Sequence, residues 1–134
     1  LGEVDRPSEV VDVVHQALDD VAPGTIEAVL GPATRWFPGR TVLHVPVAGL
    51  ETIADPVRRY TARWAADRGQ DFSGHITLAR VRGRDHGPAQ LAGIPLSGHF
   101  TVADLAVFAS TLRPGGATYE VVERISIAHG QPGV

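Results

Sequence analysis

The sequence has no cysteine and no methionine among its 134 residues. Without cysteine, disulfides, zinc thiolate centres and thiol nucleophiles are excluded together. A complete bacterial reading frame opens with methionine, so Leu1 is not expected to be the biological first residue. No apolar run approaches the length that spans a bilayer, and no signal-peptide pattern is present, so the cytoplasm is the expected location and no membrane partner is expected. An excess of positive charge is also lacking: 12 Lys+Arg against 15 Asp+Glu give a net charge of −3. Proteins that clamp long nucleic acids by neutralising phosphates are usually basic, so any anionic substrate should be short and held locally. There is no three-residue glycine period and no sustained heptad, which removes collagen-like and coiled-coil classes. What remains is 43% hydrophobic and 20% charged residues, the profile of an ordinary globular protein. The length suits one domain with a sizeable core.

The spacing of Val10, Val11, Val14 and Leu18 predicts a first helix over about 8–21, opened at Pro7 or Ser8 and closed by Pro23-Gly24. Strands are expected at Thr25–Leu30 and Thr41–Val47. Pro46 cannot donate to a ladder, which places it at an edge or a strand end. A second helix is expected from about Leu50 to Asp67, with Pro56 either confining its regular part to about 55–68 or kinking it there, and Gly69 closing it. Further strands are read at His75–Val81, Phe100–Val102, Ala103–Ser110 and Tyr119–Ile127. Gly83–Gly98 reads as a long loop, Arg113-Pro114-Gly115-Gly116 as a turn, and His129–Val134 as a tail. This order predicts an α+β domain with mostly antiparallel pairing.

Histidine is the side chain that handles protons near neutral pH without help. His15 reads as a surface residue, His86 and His129 as loop residues, and His99 as structural. No pair has metal-ligand spacing, so no metal and no cofactor is expected, and no Walker loop, dinucleotide fingerprint or nucleophile elbow occurs. His75-Ile76-Thr77 is different. Period-two alternation puts imidazole and hydroxyl on one strand face, with Cα atoms roughly 6.6 Å apart. That span suits gripping one phosphate while moving a proton. The plainer reading is a His and a Thr on a solvent-facing sheet.

The decapeptide Ser73-Gly74-His75-Ile76-Thr77-Leu78-Ala79-Arg80-Val81-Arg82 resembles the second signature of the two-histidine phosphoesterases, in the branch of RNA 2′,3′-cyclic phosphodiesterases, also called 2′-5′ RNA ligases. Leu112 to Glu120 resembles that branch's C-terminal hairpin, with Ser110 just before it. Val42 to Leu50 resembles the strand before the second motif, and Leu1-Gly2-Glu3-Val4 the segment after the first. The resemblance covers nearly the whole chain. It implies a two-lobed α+β fold, with antiparallel sheets and outer helices around a central cleft. It implies metal-independent hydrolysis of RNA or nucleotide 2′,3′-cyclic phosphate ends to 2′-phosphates, with 2′-5′ joining as the reverse reaction. It also implies RNA processing in a monomer. His75 and Thr77 would be catalytic, as base and phosphate donor, and Arg80 would contact the nucleotide. Strict alternation from His75, however, puts Arg80 on the opposite strand face.

The family carries two His-x-Thr/Ser motifs and this chain has one. His44-Val45-Pro46 falls in the wrong slot and has proline where the hydroxyl belongs, so His44 is expected to be non-catalytic. Residues 1–134 are therefore read as a single two-histidine phosphoesterase domain lacking its N-terminal strands and first motif. Two other readings stay open: a natural single-motif relative, or recruitment of His44. A non-catalytic module that binds an RNA end or nucleotide through one motif is the alternative function, and a purely structural domain a third.

Overall fold

A computed structural model describes residues 1–66 and 69–127. The elements are α1 (Pro7–Val21), β1 (Ile26–Leu30), β2 (Arg35–Trp36), β3 (Val42–Ala48), α2 (Glu51–Tyr60), β4 (His75–Arg80), β5 (Gly98–Val102), β6 (Asp104–Arg113) and β7 (Gly116–Ser126). Short 3-10 turns lie at Ala62–Trp64 and Ala89–Leu91. The tail expected at His129–Val134, with His129, lies outside the described residues. This is the mixed helix and antiparallel-sheet class that the hydrophobic patterning predicts. The chain divides into two compact units, one from 1–26, 52–70 and the chain beyond 102, the other from 27–51 and 71–101.

In the first unit, α1 starts with Pro7 in its first turn, where a missing N–H costs nothing. It ends at Ala22, whose left-handed backbone donates an N–H to the Leu18 carbonyl at 2.7 Å. Its buried stripe of Val10, Val11, Val14 and Leu18 meets Ile53 of α2 and Ile125 and Ile127 of the C-terminal strand region in one apolar cluster. Strands β6 and β7 form a long antiparallel hairpin around Pro114-Gly115, from Asp104↔Ser126 to Arg113↔Gly116. Only its base carries the core: Ile125 is 1% exposed, whereas Leu112 near the tip is 86% exposed.

Helix α2 starts within a residue of the expected Leu50, but Pro56 does not confine its regular part and its end comes early. It begins at Glu51, where the carboxylate accepts the Gly49 N–H at 2.9 Å, and runs through Pro56 rather than starting there. Proline removes only the one bond to the Thr52 carbonyl, and the Pro56 ring gains burial. The helix stops at Tyr60, well short of Gly69. There the Thr61 hydroxyl donates to the Val57 carbonyl at 2.7 Å, and the Trp64 N–H turns back to Thr61 at 3.0 Å, tightening the chain into a 3-10 turn.

The second unit is built on a five-stranded sheet in the order β2-β3-β1-β5, with β4 paired to β3. Strand β3 is therefore central, not an edge, and Pro46 lies within it. The Pro46 carbonyl accepts from Gly31 N–H at 2.9 Å. Because N and C=O of one strand residue point the same way, its missing donor faces the gap between β1 and β2, where no ladder bond is required. The Gly83–Gly98 loop is fastened to the chain before β2. The buried Thr34 hydroxyl donates to Leu91 O at 2.6 Å and accepts from Ile94 N–H at 3.0 Å, and Trp36 Nε1 donates to Pro88 O at 2.9 Å.

Candidate active site

Strand β4 pairs with β3 antiparallel: Pro46↔His75, Val45↔Ile76, His44↔Thr77, then Leu43↔Ala79 and Val42↔Arg80. One β3 step, from His44 to Leu43, spans two β4 steps, so Leu78 is the extra residue of a β-bulge. Directly opposed residues share a sheet face. His75 and Thr77 thus lie with Pro46 and His44 on one face. The bulge then resets the alternation, so Arg80 falls opposite Val42 on that same face. The obstacle that strict alternation raised against Arg80 is removed by this single inserted residue.

Gly74 holds the start of β4 tight against β3. A Cβ there would fall on the Val47 carbonyl oxygen, and the Gly74 carbonyl accepts from Val47 N–H at 2.8 Å. The turn so formed brings the Ser73 carbonyl to 2.8 Å from His75 Nδ1. A carbonyl only accepts, so Nδ1 is the donor here, and in a neutral ring the lone pair then lies on Nε2. His75 is exposed, on an open strand rather than under a helix.

Phe37 and His44 lie beside it. Their rings stack with centroids 3.7 Å apart at 14°, and Phe37 meets His75 edge-on at 4.8 Å and 86°. The His44 and His75 centroids are 5.6 Å apart. His44 is 5% exposed, and its Nδ1 has no hydrogen-bond partner among the described residues. Burial first, then the neighbouring His75, hold its pKa below the ordinary histidine value, against the Val42 backbone, which raises it, and with a smaller push downward from Arg35. Arg35 stands opposite His44 on β2, and therefore on the same face. The face of β2, β3 and β4 thus presents two guanidiniums, two imidazoles and a hydroxyl, with no carboxylate. Locally this favours an anion in a chain whose overall charge is −3.

Among the described residues, the other histidines are not part of this cluster. His15 Nε2 lies 3.8 Å from Glu123, and His99 Nδ1 lies 3.8 Å from Glu27. His86 contacts the Gly39 carbonyl. Two open cavities of about 810 and 1020 Å³ belong to the first unit, and neither is lined by His75, Thr77 or Arg80. Sequence reasoning missed Phe37 and Arg35 as neighbours. The available signal was the alternation of Arg35 and Phe37 ahead of a strand carrying a histidine.

No family model matches the chain, and no curated protein matches it in sequence. Solved structures do match. TT0787 of Thermus thermophilus aligns with a TM-score of 0.70 and 21% identity, over 94% of this chain and 74% of that one. E. coli LigT complexed with 3′-AMP aligns at 0.66 and 23%, over 94% and 72%. A further phosphoesterase aligns at 0.64 and 22%, over 94% and 72%. The chain therefore has the fold of the LigT-like two-histidine phosphoesterases.

Proposed function

We propose that this chain forms the second-motif part of a phosphoesterase that opens 2′,3′-cyclic phosphates at RNA or nucleotide ends to 2′-phosphates, with 2′-5′ joining as the reverse. The observation that carries the reading is the shared face of His75, Thr77 and Arg80, with His75 tied through Nδ1 to Ser73 and its Nε2 without a hydrogen-bond partner among the described residues. The LigT-like fold, and the 3′-AMP held by one LigT structure, support a phosphate-ester ligand.

In this mechanism His75 Nε2 takes a proton from water as the water oxygen bonds to phosphorus. The P–O3′ bond breaks, and a second imidazole returns a proton to the departing O3′. Thr77 donates to a non-bridging oxygen where negative charge grows, and Arg80 grips the phosphate or its nucleotide in the fork geometry that suits it. The second imidazole belongs to a first His-x-Thr, which the family resemblance puts ahead of Leu1. His44 is a poor substitute, since burial disfavours its protonated form and Pro46 offers no hydroxyl. The test is incubation of the intact protein with a nucleoside 2′,3′-cyclic phosphate, with and without EDTA, followed by ³¹P identification of the product. A 2′-phosphate formed at equal rates in both is expected. Binding without turnover in the intact protein would leave an RNA-end-binding module instead.

A further inference from the structure

We propose that Arg35 forms a second phosphate subsite, which takes the phosphate one nucleotide away from the reacting terminus and so selects oligoribonucleotide ends over mononucleotides. The inference rests on the proposed function, whose substrate class it narrows.

Arg35, His44 and Thr77 stand in one row across three neighbouring strands, all on the face of His75. Strands lie about 4.8 Å apart, so the Arg35 and Thr77 backbones are separated by roughly 10 Å. Arg35 starts from the far side of His44, which suits it better to a second phosphate on the same ribonucleotide chain than to the one held by Thr77 and Arg80. Between the two stands the stacked pair of Phe37 and His44, an uncharged floor under the connecting nucleoside.

Nothing in the fold accounts for Arg35 otherwise. It is exposed, forms no ion pair and makes no side-chain hydrogen bond among the described residues. The nearest acid on this sheet face, Glu27 of β1, is engaged by Thr101 and His99. Arg35 is nevertheless paired with His44 across the ladder, which puts it on the face of the site. Arginine suits the task because its planar fork binds a phosphate by two parallel hydrogen bonds.

The experiment compares three substrates in the intact protein and in Arg35→Gln: a nucleoside 2′,3′-cyclic phosphate, the same compound with a 5′-phosphate, and a short oligoribonucleotide ending in the cyclic phosphate. The wild type should prefer the substrates carrying a second phosphate. In Arg35→Gln that preference, the ratio of kcat/KM values, should fall about tenfold or more, the loss typical of one charged hydrogen-bonded contact. A fall for the oligonucleotide alone assigns the subsite to the phosphodiester, and a fall for both to either phosphate. An unchanged ratio overturns the subsite. If the wild type hydrolyses none of the three, the catalytic reading fails by itself. The subsite is then read from equilibrium binding of the 2′-phosphorylated oligonucleotide and mononucleotide, where the same loss of preference is expected and its absence is decisive.

Discussion

At His75 one local contact bears on the proposed proton transfer. The Ser73 carbonyl accepts from Nδ1, which in the proposed reaction leaves Nε2 to take the proton. Replacing His75 with alanine should lower kcat/KM by about 10²–10⁴-fold, the usual contribution of a positioned acid or base. Thr77→Ala should cost about 10²–10³-fold in kcat, as the loss of a donor to developing charge does. The wild-type pH profile should be a bell, and His75→Ala should flatten one limb. Full hydrolysis by His75→Ala would sink the mechanism. His44 acts on stability instead. Its folded-state pKa lies below that of the unfolded chain, about 6.5. Below that pH the unfolded state binds a proton that the folded state refuses, so stability is complete above it and declines as pH falls through it. Denaturant midpoints at pH 7.5 and 5.5 should therefore draw closer in His44→Phe than in wild type. That variant keeps the ring stack on Phe37 and should still turn over.

At the scale of the element, β4 depends on its bulge. His75-Ile76-Thr77-Leu78-Ala79-Arg80 contains one residue too many for Arg80 to alternate onto the face of Thr77, and Leu78 absorbs it. Deleting Leu78 should give a regular strand in which Ala79 still opposes Leu43 and the arginine still opposes Val42. KM should then stay close to wild type, whereas Arg80→Ala raises it. If the deletion raises KM as much as Arg80→Ala, the bulge does more than reset the alternation. The strand and the His75–Thr77 pair were legible because period-two spacing is a local property. The bulge was not, since it is set by what β3 offers across the ladder. Pro46 was misplaced for the same reason: a missing N–H forbids a central strand only where a partner needs it. The early end of α2 goes with the turn of the Trp64 N–H back to the Thr61 carbonyl, a local change of hydrogen bonding that helical periodicity does not register.

Over the whole molecule, apolar burial is uneven. The cluster of α1, α2 and the base of the β6–β7 hairpin holds Ile125 and Ile127 at 1% exposure each. Ile125→Ala should destabilise by about 2–5 kcal/mol, the transfer loss plus the cavity it leaves. Leu112→Ser, toward the tip of the same hairpin, should stay within about 0.5 kcal/mol. Parallel denaturant melts of the two variants test this, and equal losses would mean that the tip is packed in solution. Both strands of the hairpin read as strands from sequence alone. Which end carried the core was not legible, because alternation reports a face and not what covers it.

The fastening of the Gly83–Gly98 loop by Thr34 has a consequence on a different timescale. A stretch so rich in glycine and proline would ordinarily be the first place a protease cuts and the first to trade its amide protons with solvent. Here one buried hydroxyl donates to Leu91 and accepts from Ile94, so the Ile94 amide should exchange slowly and a broad-specificity protease should spare 91–94. Thr34→Val keeps the shape and removes both bonds, at a cost of about 0.5–1.5 kcal/mol for each. In that variant the Ile94 amide should exchange quickly and cleavage should appear in the loop. Retained protection at Ile94 would show that the surrounding backbone bonds suffice. A segment that reads as slack in the sequence would then behave, by exchange and by proteolysis, as a rigid wall of the sheet that carries His75.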